Sequence, residues 1–190
     1  VSYASLPGFD LMGKVVASSS ETPFANFIKK LNATDWVRQG HTHFAGQTDG
    51  KCPYCQQKLP VSFEDDLLKC FDAQYQEDIA AISNFQSVYV SEMSSLVHTF
   101  ESNLDDVLPG LNTDEYQAKV KNFKDAITIN TQRIEAKVKE PTTVASLEDT
   151  DSLLLEIGSI IDQMNDQIEA HNTLVGDKKN QQSKCSKEVW

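Results

Sequence analysis

The chain has 190 residues, 39 % of them apolar and 24 % charged, which is room for a real core and argues against global disorder. Its formal charge of −11 sets a broad acidic surface against any phosphate backbone, so it is not read as a nucleic-acid-gripping domain. No basic-then-apolar leader and no apolar run near eighteen residues occurs, so no membrane span is expected; because the sequence begins at Val1, it reads as a piece of a longer protein.

Residues 1–20 read as irregular or short extended pieces. Within them Gly8-Phe-Asp-Leu-Met-Gly13-Lys14 matches G-x-x-x-x-G-K, the phosphate-binding loop. Val15 stands where Ser or Thr should reach magnesium, and Phe9, Leu11 and Met12 are too bulky for a loop that wraps phosphate with its amides. No nucleotide is expected to bind here. Thr22-Pro23 predicts a helix start, Thr22 as N-cap and Pro23 in the first turn, where its missing N–H costs nothing. The helix runs to Leu31 with Phe24, Phe27, Ile28 and Leu31 inward. A second is expected over Thr34–Gly40 with Trp36 and Val37 inward, then a loop over 40–60 holding His41, His43 and Cys52-Pro53-Tyr54-Cys55.

From Ser62 onward apolar residues recur in steps of three and four, through Leu67, Phe71, Tyr75, Ile82, Phe85, Tyr89 and Met93 to Leu104. This predicts one helix of about ten turns, opened by Glu64, Asp65 and Asp66 in the dipole-complementing first turn. Leu108-Pro109-Gly110 breaks it. Thr113 caps a second long helix with Tyr116, Val120, Phe123, Ile127, Ile134 and Val138 on one face and polar Asn130 among them; Glu140-Pro141 stops it. A third starts near Asp151 and repeats Leu153, Ile157, Ile160, Met164, Ile168, His171 and Leu174, with Gly176 as an end or kink and Lys178–Trp190 continuing. Short connections make neighbouring helices antiparallel. The expected fold is mainly α: an elongated antiparallel helical coiled coil or bundle (61–190) on a small helix-and-loop base subdomain (1–60) that carries the C-x-x-C knuckle.

Four cysteines, two of them isolated, do not form the lattice of a small secreted domain, which favours a reducing, cytoplasmic setting. Cys52 and Cys55 can present both sulfurs to one tetrahedral metal, half of a structural zinc site, and His41 and His43 are the candidates to complete it. The plain alternative is a loop with solvated histidines and two free thiols. A third reading is redox, since Cys-Pro-Tyr-Cys is also a glutaredoxin active-site sequence. That chemistry needs a strand before the motif and a helix straight after it, and the sequence offers neither. Cys70, Cys185, His98 and His171 read as structural, Asn130 as a register device, and no catalytic constellation is found.

Thr34-Asp-Trp36-Val37-Arg38-Gln-Gly40, then Cys52-Pro53-Tyr54-Cys55-Gln56-Gln57-Lys-Leu59 and a long helix, resembles the middle, coiled-coil insertion region of PrrC/RloC-like AAA-class ATPases, relatives of the SMC and repair ABC ATPases. Tyr54 replaces the family's usual Phe. The resemblance implies a non-catalytic, scaffold-like region of a larger ATPase whose nucleotide-binding parts lie elsewhere, some relatives cleaving tRNA in phage defence. Its implied partners are the parent's ATPase heads, a second copy, or a protein along the arm. The C-x-x-C, flanked upstream by short helices only, is expected beside the heads and not as a tip hook. The alternatives are a zinc-knuckle nucleic-acid-binding module, disfavoured by charge, and a glutaredoxin-like oxidoreductase.

Overall fold

The computed structural model describes residues 3–44, 46–105 and 107–188, with side chains as far as Cys185. Two short 3-10 turns, Tyr3–Ser5 and Phe9–Leu11, precede six α-helices among the described residues: α1 Pro23–Lys30, α2 Thr34–Phe44, α3 Phe63–Leu68, α4 Ala73–Ser102, α5 Asp114–Lys139 and α6 Thr150–Glu188. The fold is mainly helical, and the described residues hold no strand, only one isolated antiparallel bridge between Lys51 and Lys58. Among them no helix is long and apolar enough to cross a membrane.

The chain divides into two compact units, Val1–Ser91 with Ile129–Leu147, and Glu92–Thr128 with Glu148–Trp190. In the first, Tyr75, Ile82, Phe85 and Tyr89 of α4 and Ile134 of α5 are buried with Met12, Val16 and Ile28. Gly8 lies against this core at φ 90°; a Cβ there would stand 2.6 Å from the Ala81 carbonyl oxygen, so only glycine allows the approach. Asn130 is buried and donates to the Tyr89 hydroxyl at 2.9 Å, which satisfies the polar residue in the stripe. In the second unit Phe100 and Phe123 meet edge to face at 5.7 Å, and the Tyr116 hydroxyl donates to the Phe100 carbonyl at 2.8 Å.

Thr22 caps α1 as expected, its hydroxyl accepting from the Ala25 N–H at 3.1 Å. Ala25 and Ile28 face inward, but Phe27 and Leu31, expected in the core, are exposed. α2 passes through Gly40 and ends at Phe44, so His41 and His43 sit on a helix and not in a loop. Trp36, also expected inward, is 60 % exposed. The inward positions of α2 are instead Thr34 and Asp35, with Arg38 one turn on, and Trp36 falls to the side of them.

The expected single helix from Ser62 is two. α3 stops at Leu68, and Asp72 starts α4, its Oδ1 accepting from the Tyr75 N–H at 2.8 Å. Its Oδ2 accepts from the Ser19 N–H and Oγ, both at 2.6 Å, and from Ser18 Oγ at 3.0 Å. Cys70, expected inside a helix, is buried at this corner, and burial pushes its thiol above the ordinary value. α5 begins where Thr113 predicts, and Asp149 accepts the Asp151 and Ser152 N–H groups at the start of α6. α6 continues through Gly176 without a break. Ile157 is its buried stripe residue, Leu153, Ile160, Met164 and Ile168 are half-buried, and His171 and Leu174 are exposed. Of the expected continuation, Val189 and Trp190 lie outside the described residues.

Candidate functional site

The dithiol segment is a tight turn. The Lys51–Lys58 bridge brackets it, the Cys52 N–H donates to the Gln57 carbonyl at 2.8 Å, and the Gln56 N–H donates back to the Cys52 carbonyl at 2.9 Å. Gln56 takes a left-handed φ of 59° to close it. The turn aims backbone at sulfur: the Cys55 N–H, and after it the Tyr54 N–H, hold the Cys52 thiol below its ordinary value against a smaller effect of burial, and the Cys55 side chain adds a lesser lowering. Both cysteines are free thiols, Cys52 half-buried and Cys55 exposed.

Cys52 also lines a cavity of about 330 Å³ formed by α1, α2, the turn and α3. Its walls are aromatic. Trp36 stacks on Tyr54 with ring centroids 5.6 Å apart, and Phe44 meets Tyr54 edge-on at 6.3 Å. Besides Cys52 and Tyr54, its ionisable wall groups are His41 and Glu64, with His41 Nδ1 3.5 Å from Glu64 Oε2.

Of the four sequence-predicted ligands the fold therefore brings Cys52 and Cys55 together. It places His41 on the wall of the same cavity with Glu64 as its partner, and it turns His43 outward against the Phe44 ring at 4.8 Å. Among the described residues no three His, Cys, Asp or Glu side chains converge as a ligand set. The donor chemistry present is that of half a zinc site: two soft thiols on one turn, one of them stabilised as the anion by backbone N–H groups.

The G-x-x-x-x-G-K segment is built as a core strap. The Leu11, Met12 and Lys14 N–H groups donate to the Gly8, Phe9 and Leu11 carbonyls at 3.0–3.3 Å, so these three amides are spent inside the loop. Lys14 Nζ reaches Asp10 at 2.6 Å, and Met12 is buried.

A polar cluster escaped the sequence reading. Arg38 Nη2 donates to the Val138 and Lys139 carbonyls at 3.1 and 2.8 Å, and Gln39 Nε2 donates to Lys139 at 2.7 Å, so α2 caps the C-terminal end of α5. Asp35 Oδ2 accepts from the Thr142 hydroxyl at 2.6 Å. Lys137, fully buried, donates to the carbonyls of Lys14, Pro141 and Thr143. Burial pushes its pKa down, and the Asp35 charge opposes that. Two signals were available: Asp35, Arg38 and Gln39 lie inside the Thr34–Gly40 motif, and Lys137 stands three residues after Ile134 on the buried face.

Fold and site together define a mainly helical region that carries a dithiol turn beside an aromatic cavity. The chain belongs to the AAA domain family, whose sequence profile matches residues 9–190, an ATPase-related, SMC-like assignment. No curated protein and no solved structure matches it.

Proposed function

We propose that this chain is the non-catalytic helical arm of a larger SMC-like ATPase of the PrrC/RloC-like kind. Residues 1–60 form its base and 61–190 its coiled-coil arm. The arm relays conformational change between the parent's ATPase heads and a partner, in a tRNA-cleaving phage-defence setting in the cytoplasm. A second copy is the simplest partner for the exposed length of α6, where Leu174 is 63 % exposed. The observation that carries the reading is the family match to residues 9–190 of a chain whose G-x-x-x-x-G-K loop spends the Leu11, Met12 and Lys14 amides on itself. Phosphate release from Mg-ATP by the purified chain is the test. The expected rate is that of buffer alone. Turnover that coelutes with the chain on size exclusion overturns the reading.

The dithiol turn serves this arm as a structural element. In the bound form Cys52 and Cys55 supply two thiolate ligands to zinc, and His41, on the wall that Cys52 shares, is the candidate for a third; His43 is the weakest of the set because it faces out. Zinc would supply the fold with a cross-link between the turn and the helices around it. Elemental analysis with mass in solution decides this. One zinc per chain supports a local site, one per two chains supports a shared one, and none leaves a bare dithiol.

A further inference from the structure

Six aromatic rings line the cavity of about 330 Å³ in the first unit: Phe24 and Phe27 from α1, Trp36 and Phe44 from α2, Tyr54 from the dithiol turn and Phe63 from α3. Phe27, Trp36 and Tyr54 are each more than half exposed, Tyr54 by 65 %, and large rings left open around one hollow mark a binding surface. The rings do not lie flat on one another throughout. Tyr54 and Phe44 meet at 75° with centroids 6.3 Å apart, and Phe24 and Phe63 at 51° and 6.2 Å, so each pair makes a corner. Trp36, stacked along Tyr54, widens that wall.

Charge selects the guest. Among the described residues no Lys or Arg lines the cavity, and its carboxylate is Glu64, whose side chain is 58 % exposed and stands 3.5 Å from His41. Lys30, Lys51 and Lys58 neighbour wall residues in sequence without lining the hollow, and Lys29 is turned to the Ser20 carbonyl at 2.6 Å. Ring faces attract a cation held within about 6 Å of their centroids, and a carboxylate at the rim adds to that attraction. A neutral guest would use the apolar area alone. A primary ammonium or a guanidinium would bring N–H groups that these walls, nearly all apolar, leave without acceptors. A quaternary ammonium spreads its charge over methyl groups and needs no hydrogen bond, so it matches both the rings and the carboxylate.

We infer that this cavity is a binding site for a small quaternary ammonium compound, with the Trp36, Phe44 and Tyr54 rings around the cation and Glu64 balancing its charge. The site uses neither the ATPase-arm reading nor zinc on the dithiol. It gives the exposed rings of α1 and α2 a purpose that core packing does not, since Phe27 and Trp36 stay outside the core.

Choline and 3,3-dimethyl-1-butanol test it, because they share one shape and differ in the charged nitrogen that carbon replaces in the alcohol. Each is titrated into the full chain against sodium chloride of equal ionic strength, and the Trp36 indole N–H, assigned through Trp36→Phe, is followed by NMR. Choline should bind about tenfold more tightly than the alcohol. Glu64→Gln should weaken choline by about threefold and leave the alcohol unchanged. Tyr54→Leu keeps the wall apolar but removes a ring face, and it should weaken choline by about fivefold and the alcohol by less than about twofold. Both side chains are more than half exposed, so both variants keep the fold. Equal affinity for the two probes would make the hollow a plain apolar pocket and overturn the inference. No shift at about 0.1 M choline, or a choline affinity indifferent to both variants, overturns it as well. No nucleotide enters the measurement, so its failure would leave the ATPase-arm reading standing, and ATP turnover by the chain would leave the site standing.

Discussion

At the scale of single residues, the interior of the first unit is tied by one lysine. The ammonium of Lys137 has three donors, and it spends them on three backbone carbonyls from two stretches of chain, Lys14 before α1 and Pro141 and Thr143 after α5. Lysine was not read as a core residue because an ammonium is almost never fully buried unless paired. Here the pairing is to loop carbonyls that no spacing rule connects to position 137. Lys137→Met keeps length and apolar stem but strands those carbonyls. It should cost about 2–4 kcal/mol of unfolding free energy, read from urea midpoints at pH 7. A loss below about 0.5 kcal/mol would show that the carbonyls find other partners cheaply.

At the scale of elements, the starts of α1 and α5 were legible because their caps are local, Thr22-Pro23 and Thr113. The corner between α3 and α4 was not. The apolar spacing Leu67, Phe71, Tyr75 runs through it unbroken, and the group that interrupts the helix is satisfied from far along the chain, Asp72 by Ser18 and Ser19. The dithiol turn followed from the same logic as the caps, since two cysteines three positions apart need only a tight turn to meet. The histidines did not, because α2 runs on past Gly40 and sets His43 on its outer side. Asp72 makes the cost of that corner measurable. Its bonds to Ser19, to the Tyr75 N–H and to Ser18 hold its carboxyl at about 2, below the ordinary 3.8. A depressed folded value means that the unfolded chain binds the proton more readily, so the stabilisation is complete above about pH 4 and drains away as pH falls towards 2. Asp72→Ala should cost about 1–2 kcal/mol at pH 7, the loss of an N-cap with its anchors. The gap between the two proteins should narrow between pH 4 and 2. A gap that stays constant through that window would show that the carboxylate charge contributes nothing.

At the scale of the whole molecule, the charge weighs against a nucleic acid as a partner. Asp and Glu outnumber Lys and Arg by 28 to 17, and many of the cations are already committed. Lys14, Lys69, Lys119, Lys121 and Lys124 pair with carboxylates, Arg38 holds the end of α5, and Lys137 is buried. The basic tail offers Lys178, Lys179 and Lys184, on an exposed stretch of α6. Each phosphate contact contributes about 0.9 to the slope of log affinity against log salt on duplex DNA. These three tail lysines supply a slope near 3, with −11 of net charge working against them. The chain should show no mobility shift with duplex DNA or structured RNA at about 0.15 M salt, meaning a Kd weaker than about 10⁻⁴ M. Binding at low salt alone, removed by Lys178→Glu with Lys179→Glu, would be the tail's electrostatics and leave the arm reading intact. A Kd near 10⁻⁶ M at that salt, insensitive to the tail, would require a cationic surface elsewhere on the chain, and it would restore the nucleic-acid module in place of the arm.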